Sequence, residues 1–139
     1  MPFARPGGGT YRGPNMGDAA VLELVDRYLG ALEGDTRRVA ETEWGLSVDA
    51  AGWPLHVGVA LRDGLLRAQA QVVGPGRLRP EALLRWNRGL GLVRFSHTGA
   101  GDVYVEGALP LEALTEARLD GFLGLLVRVA TQAREAVGD

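Results

Sequence analysis

Cysteine is absent from this 139-residue chain, and so are lysine and isoleucine. Without cysteine there is no disulfide, no thiolate nucleophile and no cysteine-based metal site. All 15 basic side chains are arginine; a GC-rich genome accounts for this bias, and no special role for arginine is needed. A basic excess is missing too. With 17 acidic side chains against those 15, the net charge is −2, so the phosphate-driven part of nucleic-acid binding is weak and no direct nucleic-acid contact is expected. No apolar run approaches the roughly 18 residues that cross a bilayer, and the amino-terminal stretch lacks the apolar core of a signal peptide. These absences fit a cytoplasmic protein without membrane contact.

Side chains for catalysis are equally scarce. The only serines are Ser47 and Ser96, and the only histidines are His56 and His97. Ser96 and His97 are neighbours on a strand, so their side chains leave opposite faces. Ser47 and His56 fall on one face of a hairpin, but no acid is placed to complete a relay. Two histidines on separate hairpins, with no acidic cluster at ligand spacing, do not make a metal site. His97 shares a face with Phe95 and Val103 and reads as a hydrogen-bonded, partly buried side chain. Gly7-Gly8-Gly9 is no phosphate loop, because no strand precedes it and no Gly-Lys-Ser/Thr follows. No enzymatic activity, cofactor or metal is expected.

What is present is architecture. Residues 1–17 hold five glycines and three prolines without periodicity, the composition of a disordered tail. Residues 18–139 read as one domain. Asp18 is suited to cap a first helix reaching about residue 33, with Val21, Leu22, Val25, Tyr28, Leu29 and Leu32 on one stripe and Gly34 as its stop. Three strands follow at 38–48, 53–62 and 65–73. Asp63-Gly64 is a two-residue hairpin turn and sets the register: Leu61 opposite Leu66, Val59 opposite Ala68, Val57 opposite Ala70, Leu55 opposite Val72. Those eight residues make a core face. The other face pairs Arg62 with Leu65, Ala60 with Arg67, Gly58 with Gln69 and His56 with Gln71.

Pro80 starts a short helix to about residue 88, with Leu83, Trp86 and Leu90 on one line and Leu84 off it. A hairpin over 92–98 and 102–109 turns at Gly99-Ala100-Gly101, placing Phe95 opposite Val105 and Arg94 opposite Glu106. Thr115 caps a last helix whose stripe runs Leu119, Phe122, Leu123, Leu126, Val129, Ala130, Ala133 and Val137. The fold class is α+β in the order α-β-β-β-α-β-β-α, with a five-stranded antiparallel sheet and helices mainly on one of its faces. Trp44 and Trp53 fall on the core face. Trp86 belongs either to the core or to a second apolar surface made by another subunit.

The runs Glu43-Trp44-Gly45-Leu46, Ala51-Gly52-Trp53-Pro54-Leu55 and Leu84-Arg85-Trp86-Asn87 resemble the YbjN family, whose fold is that of type III secretion (Tir) chaperones. Val93-Arg94-Phe95 and Leu109-Pro110-Leu111-Glu112 continue the likeness, which spans about residues 18–137. The resemblance implies a non-enzymatic homodimer, a stress-response or regulatory role, and a surface that takes up a flexible segment of another protein. It implies a dimer interface of Leu83, Leu84, Trp86, Leu92 and Arg94. Secretion chaperones are distinctly acidic, and at −2 this chain fits a general adaptor better than a dedicated effector chaperone. The face carrying His56, Gly58, Ala60, Arg67, Gln69 and Gln71 is the candidate binding surface, since small residues admit a partner backbone and glutamine and arginine can bond its amides; a plain solvated sheet face is the competing reading. Strand addition at a sheet edge is a second mode. The alternative function is a small-ligand sensor or regulatory domain with a pocket between sheet and helices.

Overall fold

The computed structural model describes residues 16–32 and 34–137. Its elements are α1 (Met16–Gly30), β1 (Asp35–Ala40), β2 (Glu43–Ala50), β3 (Trp53–Arg62), β4 (Leu65–Val73), α2 (Pro80–Asn87), β5 (Val93–His97), β6 (Val103–Pro110), a 3-10 turn at Leu111–Ala113 and α3 (Glu116–Val137). The strands form one antiparallel sheet in the order β1-β2-β3-β4-β6-β5. Helix α2 carries the chain from β4 to the outer edge, and β6 returns between β4 and β5. The expected tail lies outside the described residues except for Met16 and Gly17, which open α1. Asp18 is therefore inside the first turn and does not cap it. The helix ends at Gly30, and Ala31 and Leu32 complete only a loosened turn before Gly34, whose φ is +120°.

The sheet has six strands rather than five because the stretch expected as one strand over 38–48 is two. The chain reverses at Glu41-Thr42. No residue in that turn has positive φ, so it needs no glycine or asparagine and leaves no mark in the sequence. The Arg38 guanidinium donates to the Glu41 carbonyl, and Leu61 N–H bonds the Thr42 carbonyl at 2.9 Å. At Asp63-Gly64, by contrast, both φ values are positive, +56° and +74°, and the β3–β4 pairs run as expected from Arg62↔Leu65 to Val57↔Ala70. Phe95↔Val105 and Arg94↔Glu106 also pair as expected.

One face of the sheet is core. Leu55, Val57 and Val59 of β3 and Leu66, Ala68, Ala70 and Val72 of β4 are buried with Leu119, Phe122 and Leu126 of α3. Thr115 Oγ1 accepts the Arg118 N–H at 3.1 Å, capping α3. At Gly107 a Cβ would stand 2.4 Å from the Leu92 carbonyl oxygen and 2.9 Å from Phe122 Cε1, so only glycine lets α3 approach β6 this closely. Helix α1 joins the sheet through Trp44, whose Nε1–H donates to Asp26 at 2.9 Å while Arg38 lies 5.2 Å above its ring.

The β3–β4 ladder stops at Val57↔Ala70, short of the expected Leu55–Val72 and His56–Gln71 pairs. Beyond that point Arg134 of α3 links the strand ends. Its guanidinium donates to the carbonyls of Val72 at 2.8 Å, Ala50 and Trp53 at 3.0 Å, Pro54 at 3.2 Å and Gln71 at 3.4 Å. Burial lowers its pKa from the ordinary arginine value, an effect partly offset by Asp49. Trp53 covers the guanidinium, with Cζ 3.3 Å from the ring centroid. Trp53 shares the core-face parity of Leu55 but stays 47% exposed, because Arg134 rather than an apolar layer meets it. At the other margin, the Asn87 side chain donates to the Phe95 carbonyl at 3.0 Å and accepts its N–H at 2.7 Å. It occupies the outward-facing backbone of an edge strand.

Candidate partner-binding face

The face opposite the helices is read directly from strand register. One row crosses all six strands as Arg37, Gly45, Gly58, Gln69, Glu106 and Arg94. On one side lies Glu43, Ala60, Arg67 and Ala108. On the other lie Asp35, Ser47 and His56, then Gln71, Tyr104 and Ser96 beyond the point where Arg134 enters. Glycine at both 45 and 58 leaves bare backbone in the middle: nothing stands within 4 Å of a Cβ built at either position. The result is a trough of about 860 Å³. A second hollow of about 510 Å³ adjoins it and shares His56, Gly58 and Gln69.

Of the residues expected on this face, His56, Gly58, Ala60, Arg67 and Gln69 line the trough. Gln71 lines the adjoining hollow with Tyr104 and donates to Asp102 at 3.1 Å. The sequence reading missed Arg37 and Val39, because it did not resolve β1 as a strand. Val39, two positions on from Arg37, shares its side of the strand and joins it in the lining, where it is 58% exposed. Glu43 and Gly45 were legible from the two-residue alternation of β2.

Charges on the face are partly paired. Arg62 meets Glu43 at 2.9 Å and Arg94 meets Glu106 at 3.4 Å. Both pairs are largely exposed and contribute little to stability. Ser47 Oγ and His56 Nδ1 are hydrogen-bonded at 2.7 Å. The nearest acid in that row, Asp35, stands beside Ser47 and not behind His56, which is not the acid–histidine–nucleophile order of a hydrolytic relay. His97 is hydrogen-bonded to the Thr98 carbonyl at 2.9 Å but is exposed rather than partly buried. Among the described residues no group of three or more His, Asp or Glu side chains is placed to hold a metal ion, and no helix is long and apolar enough to cross a membrane.

The residues expected at a dimer interface separate into three settings. Leu83 is buried in the core at 4% exposure, and half-buried Trp86 packs on Phe95 with ring centroids 5.6 Å apart. Arg94 lies on the trough side of the sheet. Leu84 and Leu92 are left on the surface, 69% and 51% exposed. The larger hollow lies on the face away from α1 and α3, not between sheet and helices as a ligand-sensor pocket would.

An antiparallel sheet with helices on one face and a bare trough on the other has the fold of type III secretion chaperones. A chain of the HopA1–SchA chaperone–effector complex superposes with a TM-score of 0.67 at 15% identity, over 85% of this chain and 98% of that one. A chain of the complex between the Yersinia pestis type III secretion chaperone SycH and a stable fragment of YscM2 superposes with a TM-score of 0.55 at 17% identity, over 81% and 96%. At such identities the likeness is one of fold. No curated protein matches the chain. The chain belongs to the YbjN family, described as "Putative bacterial sensory transduction regulator", whose model matches residues 63–139.

Proposed function

We propose that this protein is a non-enzymatic, dimeric, chaperone-like adaptor that takes up a flexible segment of a partner protein in the open-face trough. The observation that carries the reading is the Gly45–Gly58 floor. A solvated sheet face has no need of two facing glycines, which weaken strands, whereas a chain laid against the backbone does. The two structurally similar complexes are chaperones or chaperone–effector assemblies, which supports a polypeptide as the occupant. The family description supports a regulatory setting, the resemblance adds a stress-linked one, and the composition fits the cytoplasm.

Dimerisation is assigned to Leu84 and Leu92, on the exterior of α2 and at the head of β5, with Trp86 and Leu83 supporting them from beneath. The trough reading is tested by capture from the native cell with the wild-type chain and with Gly58→Trp, which fills the floor from an exposed position. We expect one protein, and one segment of it, to be retained by the wild type and lost by the variant. Equal retention by a folded Gly58→Trp protein would contradict the reading.

A further inference from the structure

The open face carries four arginines in the trough lining, Arg37, Arg62, Arg67 and Arg94, and their partners are unevenly shared. Glu43 is held by Arg62 and Glu106 by Arg94. Arg67 stands on the central strand β4 between Ala60 and Ala108, exposed and with no ion pair among the described residues. Its two acidic neighbours on this face are the two already engaged. Arg37, on the edge strand, faces Gly45 and has no ion pair among the described residues either. One lining carboxylate, Asp35, is also unpaired, so two guanidiniums stand against one acid in the part of the trough that carries the glycine floor.

We infer that the segment received by the trough is acidic, with one carboxylate forked by Arg67 and a second taken by Arg37. The inference rests on the trough being the docking site and adds the chemistry of its occupant. Strands β1 and β4 are three spacings apart, about 14 Å at about 4.8 Å each, and Arg67 lies about 7 Å along β4 from the row of Arg37, a diagonal of about 16 Å, of which four extended residues cover about 13 Å and the arginine stems the rest. Carboxylates four positions apart in an extended segment therefore reach both arginines while the backbone between them lies over Gly45 and Gly58. Guanidinium matches carboxylate with two parallel hydrogen bonds, which gives register as well as attraction. Gln69, beside Arg67 on the same face, can bond the peptide backbone. A nucleic-acid strand is disfavoured, because the trough lining offers no exposed tryptophan, tyrosine or phenylalanine platform among the described residues, Tyr104 and Trp53 lying in the adjoining hollow, and single strands bind on aromatic stacking platforms.

Fluorescence anisotropy on the full chain tests this with three probes: a twelve-residue peptide of Glu, Ala and Gly with glutamates four apart, the same peptide with Gln for Glu, and a twelve-nucleotide oligothymidylate. The acidic peptide is expected to bind at least about tenfold tighter than the glutamine peptide, as a charge-assisted fork requires. Arg37→Gln with Arg67→Gln should erase that difference, and Arg37→Lys with Arg67→Lys should retain part of it, since charge persists without the fork. Unchanged thermal melting would show both variants folded. Equal binding of the two peptides, tighter binding of oligothymidylate, no binding by the acidic peptide, or indifference to the arginine changes would each overturn the inference. If native-partner capture remains sensitive to Gly58→Trp in those cases, the docking site stands and only its acidic preference falls. Acidic-peptide binding that survives Gly58→Trp would place the occupant elsewhere and remove both.

Discussion

Arg134 shows how one side chain can substitute for a strand ladder. It is 6% exposed, meets five backbone carbonyls and has no bonded carboxylate among the described residues. The carbonyl dipoles and the face of Trp53 carry the stabilisation of a buried cation. Arg134→Met keeps the apolar stem but leaves those carbonyls unpaired, so a loss of about 2–4 kcal/mol is expected in urea denaturation; a loss under about 0.5 kcal/mol would mean water replaces the guanidinium without cost. The residue was missed in the sequence although its position was visible, since 134 continues the α3 stripe four residues after Ala130. An arginine on an otherwise apolar stripe carries a signal that charge alone obscures. Tyr28 is a second case. Burial first, and then its hydrogen bond to and the charge of Asp120, push its phenol well above the usual tyrosine value. The folded state thus holds this proton to higher pH than the unfolded chain does. Its contribution is complete below about pH 10 and is lost as pH rises beyond that. Denaturation midpoints should fall as pH rises above about 10, and Tyr28→Phe should lessen the fall; an identical fall in the variant would assign it to other groups.

At the scale of elements, turns decided what could be read. Asp63-Gly64 sits at positive φ, and that requirement put a recognisable pair in the sequence and fixed the β3–β4 register. Glu41-Thr42 requires no such conformation, so β1 and β2 read as one strand and Arg37 and Val39 went unassigned. The α3 cap and the bounds of β3 and β4 were legible because Thr115, Gly52 and Gly64 punctuate them. The end of the β3–β4 ladder was not, because a helix residue 62 to 84 positions away in the chain supplies the competing donor. Of the candidate face, the β3 and β4 members followed from alternation alone, whereas the trough needed the sheet order. Helix α2 carries the element-scale prediction. Its outward Leu84, and Leu92 just before β5, are large apolar side chains left exposed once Leu83 and Trp86 pack inward. Leu84→Arg with Leu92→Arg should turn a dimer into a folded monomer by light scattering. A wild-type monomer, or a variant that stays dimeric, would remove this interface.

For the whole molecule, the two sides of the sheet divide the work. The α1/α3 side is packed, and its residues hold the sheet's shape: Gly107 lets α3 sit close, Trp44 ties α1 down, and Arg134 fixes the strand ends beside His56 and Gln71. The other side is left bare over Gly45 and Gly58. The proposed adaptor role would use this asymmetry, because a rigid sheet holds a trough open before a partner arrives and limits the ordering cost to the partner's segment. At the β5 edge Asn87 occupies the outward N–H and C=O of Phe95, which hinders strand addition there and favours the trough as the broad surface in the proposed function.

The claim that a partner segment lies across the trough is tested most directly by site-specific photo-crosslinking in the native cell. A photoreactive side chain is placed in turn at Gln69 in the trough, Leu84 on α2 and Arg118 on the exposed side of α3. The account predicts that Gln69 crosslinks to one segment of another protein, that Leu84 crosslinks to a second copy of this chain, and that Arg118 gives neither product. Partner crosslinks from Arg118 or Leu84 with none from Gln69 would contradict it.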